Sequence, residues 1–301
     1  RITAKHATVL TAPLGYYYSL LNLVRAAISI KAETIPKPHH GLKYKRDDIL
    51  IVKGGASEVL LEDPTVLCIE VGGSGKTDKN NFDHHNIPYY LPPACMQAYR
   101  VSGKRSKGLK RLVDYVCQVD EGVSHPYPIS FPSLSNIFSG MLLVEKDTFL
   151  RFIKGMEILR TVLKNGLDPF KSMPELSEWR QYIRAKIRNQ KMLESTLSSC
   201  QIYTSKRGIK VGFLEHRFIG GVGALFKMGC QIAILLNPRF GHPPIRKCTI
   251  ASNGIRIDML KSIFNGIEPG WGGRDTILDS PLKEGTSLSR EEIIRIVLEN
   301  L

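Results

Sequence analysis

The run Phe82-Asp83-His84-His85 puts a carboxylate and two imidazoles on consecutive positions, and Glu70 stands a short loop upstream at the end of an apolar run. Oxygen and imidazole donors grouped in this way suit a divalent cation such as Mn2+ or Mg2+, and such a cation suits phosphate chemistry. Glu70 is expected at the carboxyl end of a sheet strand, where open α/β sheets keep their sites. Gly72 and Gly73 let the chain turn sharply, so that the Asp-His-His turn returns to the same edge. His84 is then the imidazole ligand and Glu70 a carboxylate ligand. Asp83 orients an imidazole as an acceptor, and His85 touches a phosphate or donates a proton, which makes His85 and Asp83 the catalytic candidates. Asp120 follows an amphipathic helix that would pack on the sheet, and it completes the metal set as a third ligand. Taken alone, Asp120 reads as a cap or turn former.

A competing reading must be weighed for the same stretch. Glu70-Val71-Gly72-Gly73-Ser74-Gly75-Lys76-Thr77 misses the phosphate-binding loop G-x-x-x-x-G-K-[ST] by one residue, since Glu70 holds the place of the first glycine. Such a loop must also open a helix whose amides hold the phosphates. The segment from Asp78 to Pro93 carries Asn80-Asn81, Pro88 and Pro92-Pro93 and is a poor helix. The nucleoside-triphosphate reading therefore fails if the residues after Thr77 are not helical.

Elements able to position these residues are legible upstream and downstream. Ala7–Thr11, Ile49–Val52 and Val66–Val71 are apolar runs of strand length, as expected for strands covered on both faces. Tyr16–Ile28 carries Leu20, Leu23, Val24 and Ala27 at helical spacing, and Leu109, Leu112, Val113 and Val116 form another helical stripe. Alternating strands and helices predict an α/β domain with a parallel sheet over 1–145. Residues 146–195 read as a helical connector. Phe149 to Leu163 mark one helix, and Pro174 opens a second with Arg180, Arg184, Lys186, Arg188 and Lys191 on a basic face. Gln201–Thr204, Ile209–Leu214, Gln231–Leu236 and Cys248–Ile257 read as strands of a smaller α+β domain with a mixed sheet, 196–301. It ends in a helix announced by the capping box Ser289 and Glu292.

The 301 residues suffice for two domains, and 42 basic against 28 acidic side chains give a net charge of +14, which favours polyanionic partners. No apolar run approaches a membrane span and no secretory pattern opens the chain, so a cytoplasmic protein is expected. The six cysteines are scattered without C-x-x-C spacing, which argues against a structural zinc site.

Taken together, Glu70, the Asp-His-His motif and Asp120 resemble the DHH phosphoesterases, a family that includes RecJ-type exonucleases, nucleases of small oligoribonucleotides and manganese pyrophosphatases. The resemblance spans most of the chain. It implies a metal-dependent phosphoesterase domain followed by a C-terminal substrate-binding domain with a glycine-rich signature, which Gly270-Trp271-Gly272-Gly273-Arg274 resembles, with Gly285-Thr286-Ser287 just beyond. Gly272 and Gly273 would let the backbone approach the substrate and Arg274 would clamp its phosphate, and adjacent glycines with an arginine do make an anion cradle. Two departures stand out. Family members follow their first strand with an Asp-rich motif, yet no carboxylate occurs between Arg1 and Lys31 here. Glu70 also stands where the family usually has Asp, which pushes the carboxylate out by about 1.5 Å. One bound ion is thus expected rather than two, with Asp47, Asp48, Asp63, Asp78 and His6 as substitutes to test. The expected substrate is single-stranded nucleic acid or a small phosphodiester, held in the cleft between domains. A catalytically inactive member that binds nucleic acid, a protein partner or a second copy of itself is the alternative.

Overall fold

A computed structural model describes residues 8–11, 49–52, 58–63, 66–70, 75–84, 89–103, 105–121, 131–241 and 243–301. The helical stretch expected at Tyr16–Ile28 lies outside them. The chain divides into two compact units, Arg1–Lys186 and Ile187–Leu301. That boundary falls inside the segment 146–195 read from sequence as a connector, and the apolar faces before the boundary join the first unit's core.

The first unit holds a sheet of β1 (Thr8–Thr11), β2 (Ile49–Val52), β3 (Leu67–Ile69) and β4 (Asn81–Phe82) in the order β2-β1-β3-β4, all parallel. Its helices are α1 (Glu58–Glu62), α2 (Ala94–Val101), α3 (Lys107–Asp120), α4 (Leu134–Val144) and α5 (Thr148–Lys164). Helix α3 forms because Ser106 accepts the Leu109 N–H at its start and Leu109, Leu112, Val113 and Val116 bury one stripe. Helix α4 begins on a reciprocal cap between Ser133 and Asn136, and α5 on Asp147, which accepts the Leu150 N–H. Ile69 and Phe82 on the strands pack with Ala98, Val113, Phe138, Met156 and Trp179 into one core.

Pro174 does not open the next helix, for α6 spans Arg180–Leu197. The intervening segment is held in non-helical form by Trp179, which is fully buried and donates its indole N–H to the Pro174 carbonyl at 2.8 Å.

The second unit is built on a six-stranded sheet of β5 (Gln201–Thr204), β6 (Lys210–Glu215), β7 (Ile232–Phe240), β8 (Ile245–Ser252), β9 (Gly272–Arg274) and β10 (Ile277–Asp279), in the order β5-β6-β7-β8-β10-β9. The pair β6 and β7 is parallel and bridged by α7 (Gly221–Lys227), while the other pairs are antiparallel, so the sheet is mixed. Strand β8 stops at Ser252 rather than Ile257, because Gly254 takes a left-handed turn (φ 75°). Helices α8 (Asp258–Ile267) and α9 (Arg290–Asn300) cover one face through Leu260, Phe264, Ile293 and Val297, packed on Ile234, Ile250 and Leu278. The expected capping box of Ser289 and Glu292 starts α9. Among the described residues no helix is long and apolar enough to cross a membrane.

Candidate metal centre

Strands β3 and β4 run parallel with Cys68 opposite Asn81 and Ile69 opposite Phe82, so Glu70 and Asp83 leave the sheet side by side at its carboxyl edge. The Glu70 N–H donates to the Phe82 carbonyl at 2.9 Å, which ties the two strand ends together. Glu70 then turns into the left-handed region with φ 57°, a conformation that costs an L side chain about 1 kcal/mol. A buried glutamate held there fits the pattern in which backbone strain gathers at functional sites.

Ligand atoms of Glu70, Asp83 and His84 lie within 4.8 Å of one another. Donors bonded at ~2.1 Å to one ion stand roughly 3.0 Å apart when adjacent and 4.2 Å apart when opposite, so small side-chain shifts would gather this trio on a single cation. Two carboxylates and an imidazole are a donor set for Mn2+ or Mg2+ rather than for a thiolate-seeking metal. The residues therefore fit the group that the sequence implies. Asp83 belongs to the trio directly, and its Oδ1 also accepts the His84 backbone N–H at 2.7 Å.

Asp120 approaches from the other side of the imidazole. His84 Nδ1 is 3.6 Å from Glu70 Oε1, whereas His84 Nε2 is 3.4 Å from Asp120 Oδ2. A cation held on the Glu70 side of the ring would leave Asp120 at the opposite nitrogen, where a carboxylate can set the ring angle. The Asp120 side chain is 7% exposed and ends α3, where the helix dipole disfavours an anion.

Sequence reasoning missed Gln97. Its buried amide on α2 donates to the carbonyls of Asp83 and Pro92, both at 2.8 Å, and so clamps the turn that carries the motif. A lone glutamine inside the apolar run Ala94-Cys95-Met96-Gln97-Ala98 was the available signal. Gly75 packs beneath the same turn. It has φ 58°, and a Cβ there would meet Leu91 Cδ1 at 2.3 Å and the Asp83 carbonyl at 3.0 Å.

The triphosphate-loop reading is overturned. Thr77–Lys79 make a single 3-10 turn that leads into β4, so no α-helix opens after Thr77, and Lys76 pairs with Glu62 at 2.9 Å. Of the substitute ligands, Asp63 and Asp78 fall outside the trio. His6, Asp47, Asp48, Gly72, Gly73 and the whole stretch Thr11-Ala12-Pro13-Leu14-Gly15-Tyr16-Tyr17-Tyr18 beyond Thr11 lie outside the described residues, as does His85.

In the second unit, Gly272, Gly273 and Arg274 form the edge strand β9, paired with Asp279, Leu278 and Ile277 rather than folded into a tight turn. The two glycines differ in kind. A Cβ on Gly273 (φ 155°) would meet the Ile277 carbonyl oxygen at 2.0 Å, a structural need, whereas Gly272 has open space around its Cα. Trp271 stacks on Phe264 with centroids 4.2 Å apart and donates its indole N–H to Glu268, whose other oxygen accepts from the backbone and hydroxyl of Ser287. Glu268 thus joins the two glycine-bearing loops.

No family model and no curated protein matches the sequence. Solved structures do resemble it. A pGpG-specific phosphodiesterase from Vibrio cholerae, PggH, superposes with a TM-score of 0.56 at 11% identity, over 97% of this chain and 96% of that one. The DHH domain of a member of a ribosomal-protein family gives a TM-score of 0.50 at 12% identity, over 98% and 86%. At such identities the likeness is one of fold.

Proposed function

We propose that this chain, which has the fold of the DHH phosphoesterases, hydrolyses phosphodiester bonds in single-stranded nucleic acid or short oligonucleotides. The observation that carries this reading is the convergence of Glu70, Asp83 and His84 at the carboxyl edge of the parallel sheet, with Glu70 near one nitrogen of the His84 ring and Asp120 near the other. The likeness to a protein described as a phosphodiesterase supports it. What a divalent ion supplies when bound at such a site is positive charge against the phosphoryl oxygens and a more acidic water.

The protein's own residues divide the remaining work. Glu70, Asp83 and His84 would hold the cation, and Asp120, 3.4 Å from His84 Nε2, orients the imidazole from its other side. Gln97 keeps the motif turn from drifting through its bond to the Asp83 carbonyl. His85 contacts the phosphate or returns a proton to the leaving oxygen, and Gly272, Gly273 and Arg274 of the second unit bind the substrate's phosphate.

The stretch from Arg1 to Lys31 without Asp or Glu favours a second reading, a protein that binds nucleic acid or a partner and cleaves nothing. One experiment separates the two. With excess Mn2+, wild-type protein is expected to release mononucleotides from 5′-phosphorylated dinucleotides, short RNA or single-stranded DNA. His84→Ala and Glu70→Gln should lose at least ~100-fold and Asp120→Asn roughly 10- to 100-fold, the range seen when a metal-orienting partner is removed. A wild-type protein that leaves all three substrates uncut loses the enzyme reading, and Mn2+ titration followed by paramagnetic resonance then tells whether the ion binds at all.

A further inference from the structure

Two tyrosines follow the Asp-His-His turn, and both leave their rings in solvent: Tyr89 is 61% exposed and Tyr90 79%. Scattered apolar groups on a surface need no explanation. Tyr90 differs because it is fixed. Its hydroxyl donates to Glu121 Oε1 at 2.8 Å, and Glu121 caps α3 immediately after Asp120, the residue 3.4 Å from His84 Nε2. The ring is therefore pinned at one end and bare on its face, and its anchor Glu121 is next in sequence to Asp120. A bond to Glu121 alone could be supplied by a lysine or glutamine. What that role leaves unexplained is a large aromatic face held out of the core beside a second one.

We infer that Tyr90, with Tyr89 beside it, is a stacking platform for a nucleobase of the substrate. This inference rests on the phosphodiesterase reading and gives its substrate a class: a phosphodiester that carries a base next to the scissile bond. Every base has a π-face, so the platform selects base-bearing strands without reading sequence. A ring already immobilised by its hydroxyl loses little freedom on stacking, which is what a preorganised contact requires.

The test uses the full chain and two probes, a 5′-phosphorylated dinucleotide and the same sugar-phosphate backbone without bases, with affinities measured by calorimetry in EDTA so that neither is cleaved. Wild type is expected to prefer the base-bearing probe, and Tyr90→Ala should shrink that preference by about 10-fold, within the range of roughly 5- to 150-fold for loss of one stacked base. Tyr90→Phe, which keeps the ring and loses the bond to Glu121, should retain most of the preference. The inference is overturned if wild type binds both probes equally, if Tyr90→Ala leaves the ratio within twofold, or if Tyr90→Phe is as damaging as Tyr90→Ala. Cleavage is read separately. A chain that cleaves nothing with Mn2+ yet keeps a ring-dependent base preference loses the enzyme reading and retains the platform. A chain that cleaves both probes alike, with affinity indifferent to the ring, keeps the enzyme and loses the platform.

Discussion

Glu70 is where structure and chemistry pull against each other. Its left-handed backbone opposes folding by about 1 kcal/mol. Glycine accepts that backbone without penalty. Glu70→Gly is therefore expected to raise the urea midpoint of the first unit in EDTA, with the gain set by that strain, while abolishing the stabilisation that Mn2+ gives wild type. Trp179 fluorescence reports that unit. A variant less stable than wild type in EDTA would show that the strain is offset by contacts of the glutamate side chain. The exposed Tyr90 ring and the buried Gln97 amide belong to the same scale, since each is one side chain whose surroundings, and not its type, give it a role.

Helices and strands fix these side chains through close contacts that single atoms can break. Gly140 on α4 lies against the start of α6, where a Cβ would stand 2.0 Å from the Tyr182 carbonyl oxygen. Gly140→Ala should destabilise the first unit by about 1–3 kcal/mol. Gly108 on α3 has only Leu163 Cδ2 at 3.9 Å, so Gly108→Ala should stabilise by about 0.5 kcal/mol, through helix propensity. Thermal melts of the two variants test the opposite signs. In the second unit, burial by itself would raise the Glu268 pKa. The bonds from the Ser287 backbone, the Thr286 and Ser287 hydroxyls and the Trp271 ring outweigh it and hold the carboxyl below the usual range. A folded pKa below the unfolded one gives stability that is present above the unfolded value of about 4.3 and lost as pH falls through the folded one. Wild type should accordingly lose more stability than Glu268→Gln between pH 6 and pH 3, as read by urea unfolding followed through Trp271.

At the scale of the whole molecule, the net charge of +14 bears on association and not on the fold. If single-stranded nucleic acid is the partner, each phosphate neutralised contributes about −0.7 to the slope of log affinity against log salt. Oligonucleotide binding should therefore weaken with a slope steeper than about −1.4, the value for two phosphates. A flat salt response would leave the excess of basic residues without a role in substrate capture.

The parallel sheet of the first unit, helix α3, the strands of the second unit and the last helix were legible from the chain because each rests on local rules: apolar runs of strand length, the 3.6-residue stripe from Leu109 to Val116, the Ser289 and Glu292 cap. Residue type also pointed to Glu70, Asp83 and His84 as a candidate cation cluster, and the structure brings their ligand atoms within 4.8 Å of one another. Tertiary structure alone decided which atoms meet. Parallel register set Glu70 beside Asp83, the end of α3 put Asp120 on the far nitrogen of His84, and Glu121 pinned the Tyr90 ring. A helix start at Pro174 and a strand running to Ile257 failed for the same reason, because Trp179 and Gly254 answer to packing and backbone turns rather than to local pattern. Spacing along a chain fixes what a residue offers. Distance between segments, set by cores that bury Phe82 and Trp179, fixes what it does.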